Sequence, residues 1–171
     1  NVPMCPSDDE STGSKAMTVE EVEGFIEDCI AAAVRSQRAG FDGVQLHGAH
    51  GYLLAQFLSP QFNRRDDAYG GSPEKRAKVL FDIITGINKA CGREFSLGVR
   101  LSPERFGQRT EEIRDLASEL LIDPRLDYLD MSLWDVFKDA HGEAFAGQSL
   151  LKVFTDLPRE GVALGAACLL Y

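Results

Sequence analysis

Residues 43–60 read "GVQLHGAHGYLLAQFLSP" and bring His47, His50 and Tyr52 together directly after a short alternating apolar run. The chain has three histidines in all, so most of them sit in this one turn. A histidine cluster at the end of a strand reads as a site. Two imidazoles on a strand-to-loop turn can both donate N–H bonds to a single oxygen. That suits a carbonyl or nitro group, whose oxygen gains negative charge as the substrate is reduced or attacked. Tyr52, with an ordinary pKa of about 10, is protonated at neutral pH and able to act as a general acid. Two other roles are open to the same residues. Histidine is a common metal ligand, although the helical zinc pair has its histidines four apart with a glutamate between, whereas glycine and alanine separate His47 from His50. The histidines can also serve structure alone, bonding backbone in a tight glycine-flanked turn.

The elements that must position this cluster follow a repeating plan. Asn1 to Met17, with two prolines, several serines and an acidic run, predicts an exposed arm or loop, leaving 18–171 as the folded unit. Thr18 and Glu21 form a capping-box signature, and Val19, Val22, Phe25, Ile26, Cys29, Ile30 and Ala33 then share a helical face. Gly40 supplies the stop. Phe41–His47 is the strand that follows, with Val44 and Leu46 on one side. Ser72 and Pro73 open a second helix striped by Val79, Leu80, Ile83, Ile84 and Ile87 and closed by Gly92. Phe95–Leu101 is the next strand. Thr110, Ile113, Leu116, Ala117, Leu120 and Leu121 mark a third helix, Asp123 and Pro124 break it, and Leu126–Ser132 is a third strand. Val162–Leu170 offers a fourth.

Successive helix-then-strand units imply parallel strands with crossover helices, an α/β fold. A doubly wound sheet would carry a glycine-rich phosphate turn after its first strand, and "GAHG" is not GxGxxG. His47, Arg100 and Ser132 instead stand at or near the C-terminal ends of different strands, the pattern of a (β/α)8 TIM barrel. A closed barrel needs eight strands and about 250 residues. With 171 residues, the expectation is a partial barrel of three to four βα units, both ends of the sequence looking cut.

Composition narrows the partners. A net charge of −9 argues against a nucleic-acid partner, which requires a basic face. The longest apolar stretch, "VALGAACLLY", is well short of the roughly 18 residues that suggest a membrane span. The four cysteines, Cys5, Cys29, Cys91 and Cys168, form no CxxC pair and fit reduced thiols in a cytoplasmic protein. No signal peptide is evident.

The stretch "GFDGVQLHGAHGYLLAQFLSPQFNRRDDAYGGSPEKR" closely resembles the central signature of the Old Yellow Enzyme family, the flavin-dependent ene-reductases and NADH:flavin oxidoreductases. The similarity runs from about Met17 through Arg105 and, more weakly, through "LDYLDMSLWDVF" and "FTDLPREGVALG". The resemblance implies a barrel with FMN at its mouth, reduced by NAD(P)H and passing hydride to the activated C=C bond of an α,β-unsaturated carbonyl or nitro compound. It implies that His47 and His50 bind the substrate oxygen, that Tyr52 is the catalytic proton donor, and that Arg100 in "GVRLSP" binds the pyrimidine end of the cofactor. No metal is implied. The implied partner is a small-molecule substrate, and a homo-oligomer is compatible with it.

Beyond these residues, Asn63, Arg65, Asp67, Tyr69, Gly70 and Gly71 match the family's loop before the second helix and are expected to build that loop. Lys75 stands where the family more often has asparagine, in a first helical turn at the surface. Trp134 and Phe137 are expected to pack in core or loop, and His141 to lie at the surface without a partner. In the family, strands preceding this region contact the flavin ring and strands following it hold the phosphate. The chain can accordingly be an ene-reductase segment or, alternatively, a non-catalytic remnant serving as an interaction module. A metal-dependent barrel hydrolase is a third, lesser alternative.

Overall fold

The computed structural model describes residues 2–168. The first helix, α1 (Val19–Arg38), begins where the sequence places it: the Thr18 hydroxyl accepts from the Glu21 amide at 3.2 Å, and the Glu21 carboxylate accepts from the Thr18 amide at 2.8 Å. Such a cap is worth about 1 kcal/mol. Gly40, at φ +90°, turns the chain out of the helix. The strand that follows is Gly43–Gly48, two residues shorter at its start than expected because Phe41 is 66% exposed and has no face to pack on.

A short helix, Leu53–Leu58, comes next, then a loop and the helix Pro73–Cys91, whose Ser72 hydroxyl accepts from the Lys75 amide at 3.4 Å. Strand Ser96–Leu101, helix Thr110–Leu120, strand Tyr128–Trp134, helix Leu150–Thr155 and strand Ala163–Cys168 complete the order. Two short strands, Met4–Cys5 and Lys15–Ala16, precede them. Numbered along the chain, the strands are β1 to β6 and the helices α1 to α5. β5 runs two residues later at each end than the sequence suggests, and the last two residues proposed for the fourth main strand lie outside the described residues. The short helices α2 and α5 were too brief to announce themselves by periodicity.

The main sheet has the order β3-β4-β5-β6, every pair parallel. A doubly wound sheet reverses its strand order at a switch point. Strands laid down in sequence order with helical crossovers are instead a segment of a (β/α)8 barrel. Alternation along the strands separates two faces. Leu97, Val99 and Leu101 of β4 and Leu129, Met131 and Leu133 of β5 are at most 1% exposed and pack in one core with Ile83, Ile84 and Ile87 of α3. The opposite face carries Gln45 and His47, Gly98 and Arg100, then Tyr128, Asp130 and Ser132. Register aligns His47 with Arg100, Arg100 with Asp130, and Asp130 with Gly165 in one row across the sheet.

Residues before α1 are tied to the rest of the chain. β1 and β2 pair in parallel, and Cys5 and Met17 are buried. Arg65 donates to the Pro6 carbonyl at 2.9 Å and the Met17 carbonyl at 2.6 Å, while its Nε and Nη2 hold Asp67. Asn63, 4% exposed, donates to the carbonyls of Phe57 and Tyr69 at 2.7 and 2.8 Å. The loop before α3 is thus organised by its own polar side chains, which satisfy backbone carbonyls that no ladder reaches.

Candidate active site at the strand ends

β3 delivers His47 to the polar face one residue before the strand ends. The chain then turns sharply. His50 adopts φ +59°, an uncommon conformation for a residue with a side chain, and its amide donates to the hydroxyl of buried Ser102 at 3.0 Å. Tyr52 is the N-cap residue of α2 and is 65% exposed. This geometry clusters the three side chains, their rings tilted against one another: the His47 ring centroid lies 5.0 Å from that of His50 and 5.4 Å from that of Tyr52.

From the neighbouring strand ends come Arg100 and Ser132. His50 Nε2 and Ser132 Oγ are 2.7 Å apart, and Arg100 Nη2 donates to the same hydroxyl at 3.3 Å. Arg100 Nε faces Asp130 Oδ2 at 3.2 Å without the alignment of a hydrogen bond, and is buried with no hydrogen-bond partner among the described residues. Burial, the adjacent His50 and the Arg100 charge push the His47 pKa below the ordinary 6.5. Burial and Arg100 push His50 down as well, with Asp130 acting in the opposite sense. Both imidazoles are therefore neutral at neutral pH, each with one N–H donor and one acceptor nitrogen.

The structure brings together all four residues singled out in the sequence, His47, His50, Tyr52 and Arg100. Ser132, placed at a strand end by the sequence, joins them, and the structure adds Asp130 and Ser102. The signal for Ser132 and Asp130 was present in the alternation of Tyr128, Asp130 and Ser132 with three apolar residues. Ser102 acts through backbone and gave no such signal.

Two expectations need correction. Trp134 and Phe137 are not packed in the core: Phe137 is 85% exposed, and half-exposed Trp134 lies under the Arg105 guanidinium, 4.5 Å from the ring centroid. A register shift between Ser132 and Trp134 and a φ of +63° at Trp134 turn that side chain out of the alternating pattern. His141 is exposed but has a partner, its Nδ1 lying 3.5 Å from a carboxylate oxygen of buried Glu104, which Lys138 also pairs.

Among the described residues no group of three or more histidine, cysteine, aspartate or glutamate side chains gathers as a metal site. The cysteines are unbridged, and no helix is long and apolar enough to cross a membrane. The donor set does fit the ring end of a flavin. An orphaned guanidinium N–H on the inner face of the sheet offers a fixed positive donor to the ring's carbonyl and nitrogen acceptors, and the histidines and tyrosine stand beside it.

A barrel segment that gathers neutral histidines, a tyrosine and a fixed arginine at its C-terminal strand ends defines an α/β-barrel enzyme class. The comparison with known proteins is specific. The profile of the NADH:flavin oxidoreductase / NADH oxidase family matches residues 4–149, and the chain belongs to that family. It is 43% identical over 112 residues to the NADH oxidase of Thermoanaerobacter brockii, covering 64% of this chain and 17% of the relative. It is 39% identical over 133 residues to a probable flavin mononucleotide-dependent alkene reductase of Leishmania infantum, covering 74% and 36%. The Old Yellow Enzyme homologue of Zymomonas mobilis superposes with a TM-score of 0.77 at 28% identity, over 96% of this chain and 51% of that one. The chain thus spans about half or less of each of these proteins.

Proposed function

We propose that this chain carries the substrate-activating half of an FMN-dependent ene-reductase. The observation that carries the proposal is the cluster of His47, His50 and Tyr52 beside the orphaned Arg100 N–H. FMN, when bound, would supply the hydride chemistry that links NAD(P)H to the activated C=C bond of an unsaturated carbonyl or nitro compound. Every other role belongs to the protein. His47 and His50 each donate one N–H to the substrate's carbonyl or nitro oxygen. As neutral donors they stabilise the negative charge that develops there without protonating it in the ground state. Tyr52, exposed at the mouth, gives its proton to the α-carbon. Arg100, held between Asp130 and Ser132, stabilises negative charge at the pyrimidine end of the ring.

Family membership supports flavin and NAD(P)H as the redox partners and a small molecule as substrate. Unbridged cysteines fit a cytoplasmic setting, and the two uncovered edges of the sheet leave room for association with a second copy.

The test is an assay of an α,β-unsaturated ketone with FMN and NADH or NADPH, following loss of the C=C absorbance. Turnover that disappears in Tyr52→Phe supports the proposal. Turnover that survives the substitution undiminished removes Tyr52 as the acid, and the absence of turnover in a folded chain with bound FMN removes the proposal itself.

A further inference from the structure

We propose that Ser132 is a positioning residue that fixes His50 in its Nδ1–H tautomer. The inference deepens the ene-reductase proposal, in which His50 must present an N–H, and it concerns the free chain.

Neutral His50 has one N–H, and its Nε2 is 2.7 Å from Ser132 Oγ. Serine has one O–H to donate and two lone pairs to accept with. Arg100, which can only donate, occupies one lone pair from 3.3 Å. Among the described residues the Ser132 hydroxyl has a single acceptor within reach, His50 Nε2. If Ser132 donates to Nε2, the short contact is a full hydrogen bond, the hydroxyl is satisfied on both sides, and the proton of the imidazole resides on Nδ1. If Nε2 carries the proton instead, the serine hydrogen has no protein acceptor, and the ring nitrogen left for a substrate is a lone pair that repels an oxygen.

Geometry holds the two groups in place. His50 is pinned at φ +59° with its amide bonded to buried Ser102, and the register shift of β5 begins at Ser132, which sets where the hydroxyl stands. With Arg100 donating to the hydroxyl, the chain of bonds runs from guanidinium to hydroxyl to imidazole. The result is a relay that leaves His50 Nδ1–H free as a donor. His47, which makes no side-chain hydrogen bond among the described residues, has no such fixed choice.

The test reads the tautomer directly. In the uniformly ¹⁵N-labelled chain without FMN, long-range ¹H–¹⁵N correlation above the histidine titration range distinguishes Nδ1–H from Nε2–H, with single His→Gln variants assigning the three rings. The expected result is Nδ1–H at His50 in the wild type, a shift toward the Nε2–H form that free imidazole side chains prefer in Ser132→Ala, and restoration in Ser132→Thr. His47 signals should not change between these variants. An Nε2–H His50 in the wild type overturns the proposal, as does an Nδ1–H His50 that persists in Ser132→Ala. No cofactor or substrate is used, so a failed reductase assay and a failed tautomer assignment are distinct results.

Discussion

At the scale of single residues, the proposed function divides the work between Tyr52 and the two histidines. In that proposal the phenol gives a proton and the imidazoles hold an oxygen, so each substitution has its own signature. Tyr52→Phe is expected to lower alkene reduction by roughly 10²–10⁴-fold, the range of a lost general acid, while flavin binding is unchanged. Loss of flavin from that variant would contradict the assignment. The histidines also leave a mark on stability. Their pKa values in the fold lie below the ordinary 6.5, so below about pH 6.5 the unfolded chain binds more protons than the folded one. Stability is therefore lost as pH falls from about 6.5 through the lowered values. Urea midpoints measured at about pH 7 and about pH 5 should fall less in the His47→Gln, His50→Gln double variant than in the wild type. An equal fall would show that neither ring is held neutral by the site.

At the scale of elements, the inner face of the sheet is a set of matched neighbours. Gly98 pairs with Tyr128, and a Cβ added at Gly98 would sit 2.1 Å from the tyrosine ring. Gly98→Ala is expected to cost about 1–3 kcal/mol by displacing Tyr128. Combining it with Tyr128→Val should recover much of that loss, a coupling that urea denaturation can measure. Helices α1 and α3 were legible because cap, stripe and stop agreed: Thr18 with Glu21, Ser72 with Pro73, Gly40 and Gly92. Strand limits were less so: Phe41 and Phe95 look like strand residues, yet both lie just before their strands, Phe41 exposed and Phe95 packed into the core. The site divided the same way. His47, His50, Tyr52 and Arg100 could be found from residue type and strand position. Ser132 was placed at a strand end but without its partner, Asp130 and Ser102 act through bonds across strands, and Trp134 departs from alternation at a register shift.

At the scale of the whole molecule, two adjacent arginines join the first residues to the loop before α3. Arg64 donates to the Asp8 carbonyl at 2.7 Å, and Arg65 bonds the carbonyls of Pro6 and Met17, which directly follow β1 and β2, and holds Asp67 in the same fork. Lysine cannot reproduce that fork. Arg65→Lys should release residues 2–16, seen as early proteolytic cleavage before α1 with the β3-to-β6 core intact. Unchanged protease resistance would mean that β1 and β2 are held by other contacts. The cleft of about 360 Å³ at the β3 edge of the sheet is lined by Phe25, Cys29, Leu46 and Leu53 and reaches His47 and Tyr52 of the candidate site.

The central claim is that the row from His47 through Arg100 to Asp130 forms the ring end of a flavin site. FMN titration of the purified chain, followed by flavin fluorescence with circular dichroism to verify folding, tests it most directly. The expected result is saturable quenching by the wild type and binding at least about tenfold weaker in Arg100→Gln, the loss of one charge-assisted hydrogen bond. A folded chain that binds no FMN, or binds it equally well without Arg100, would contradict the assignment.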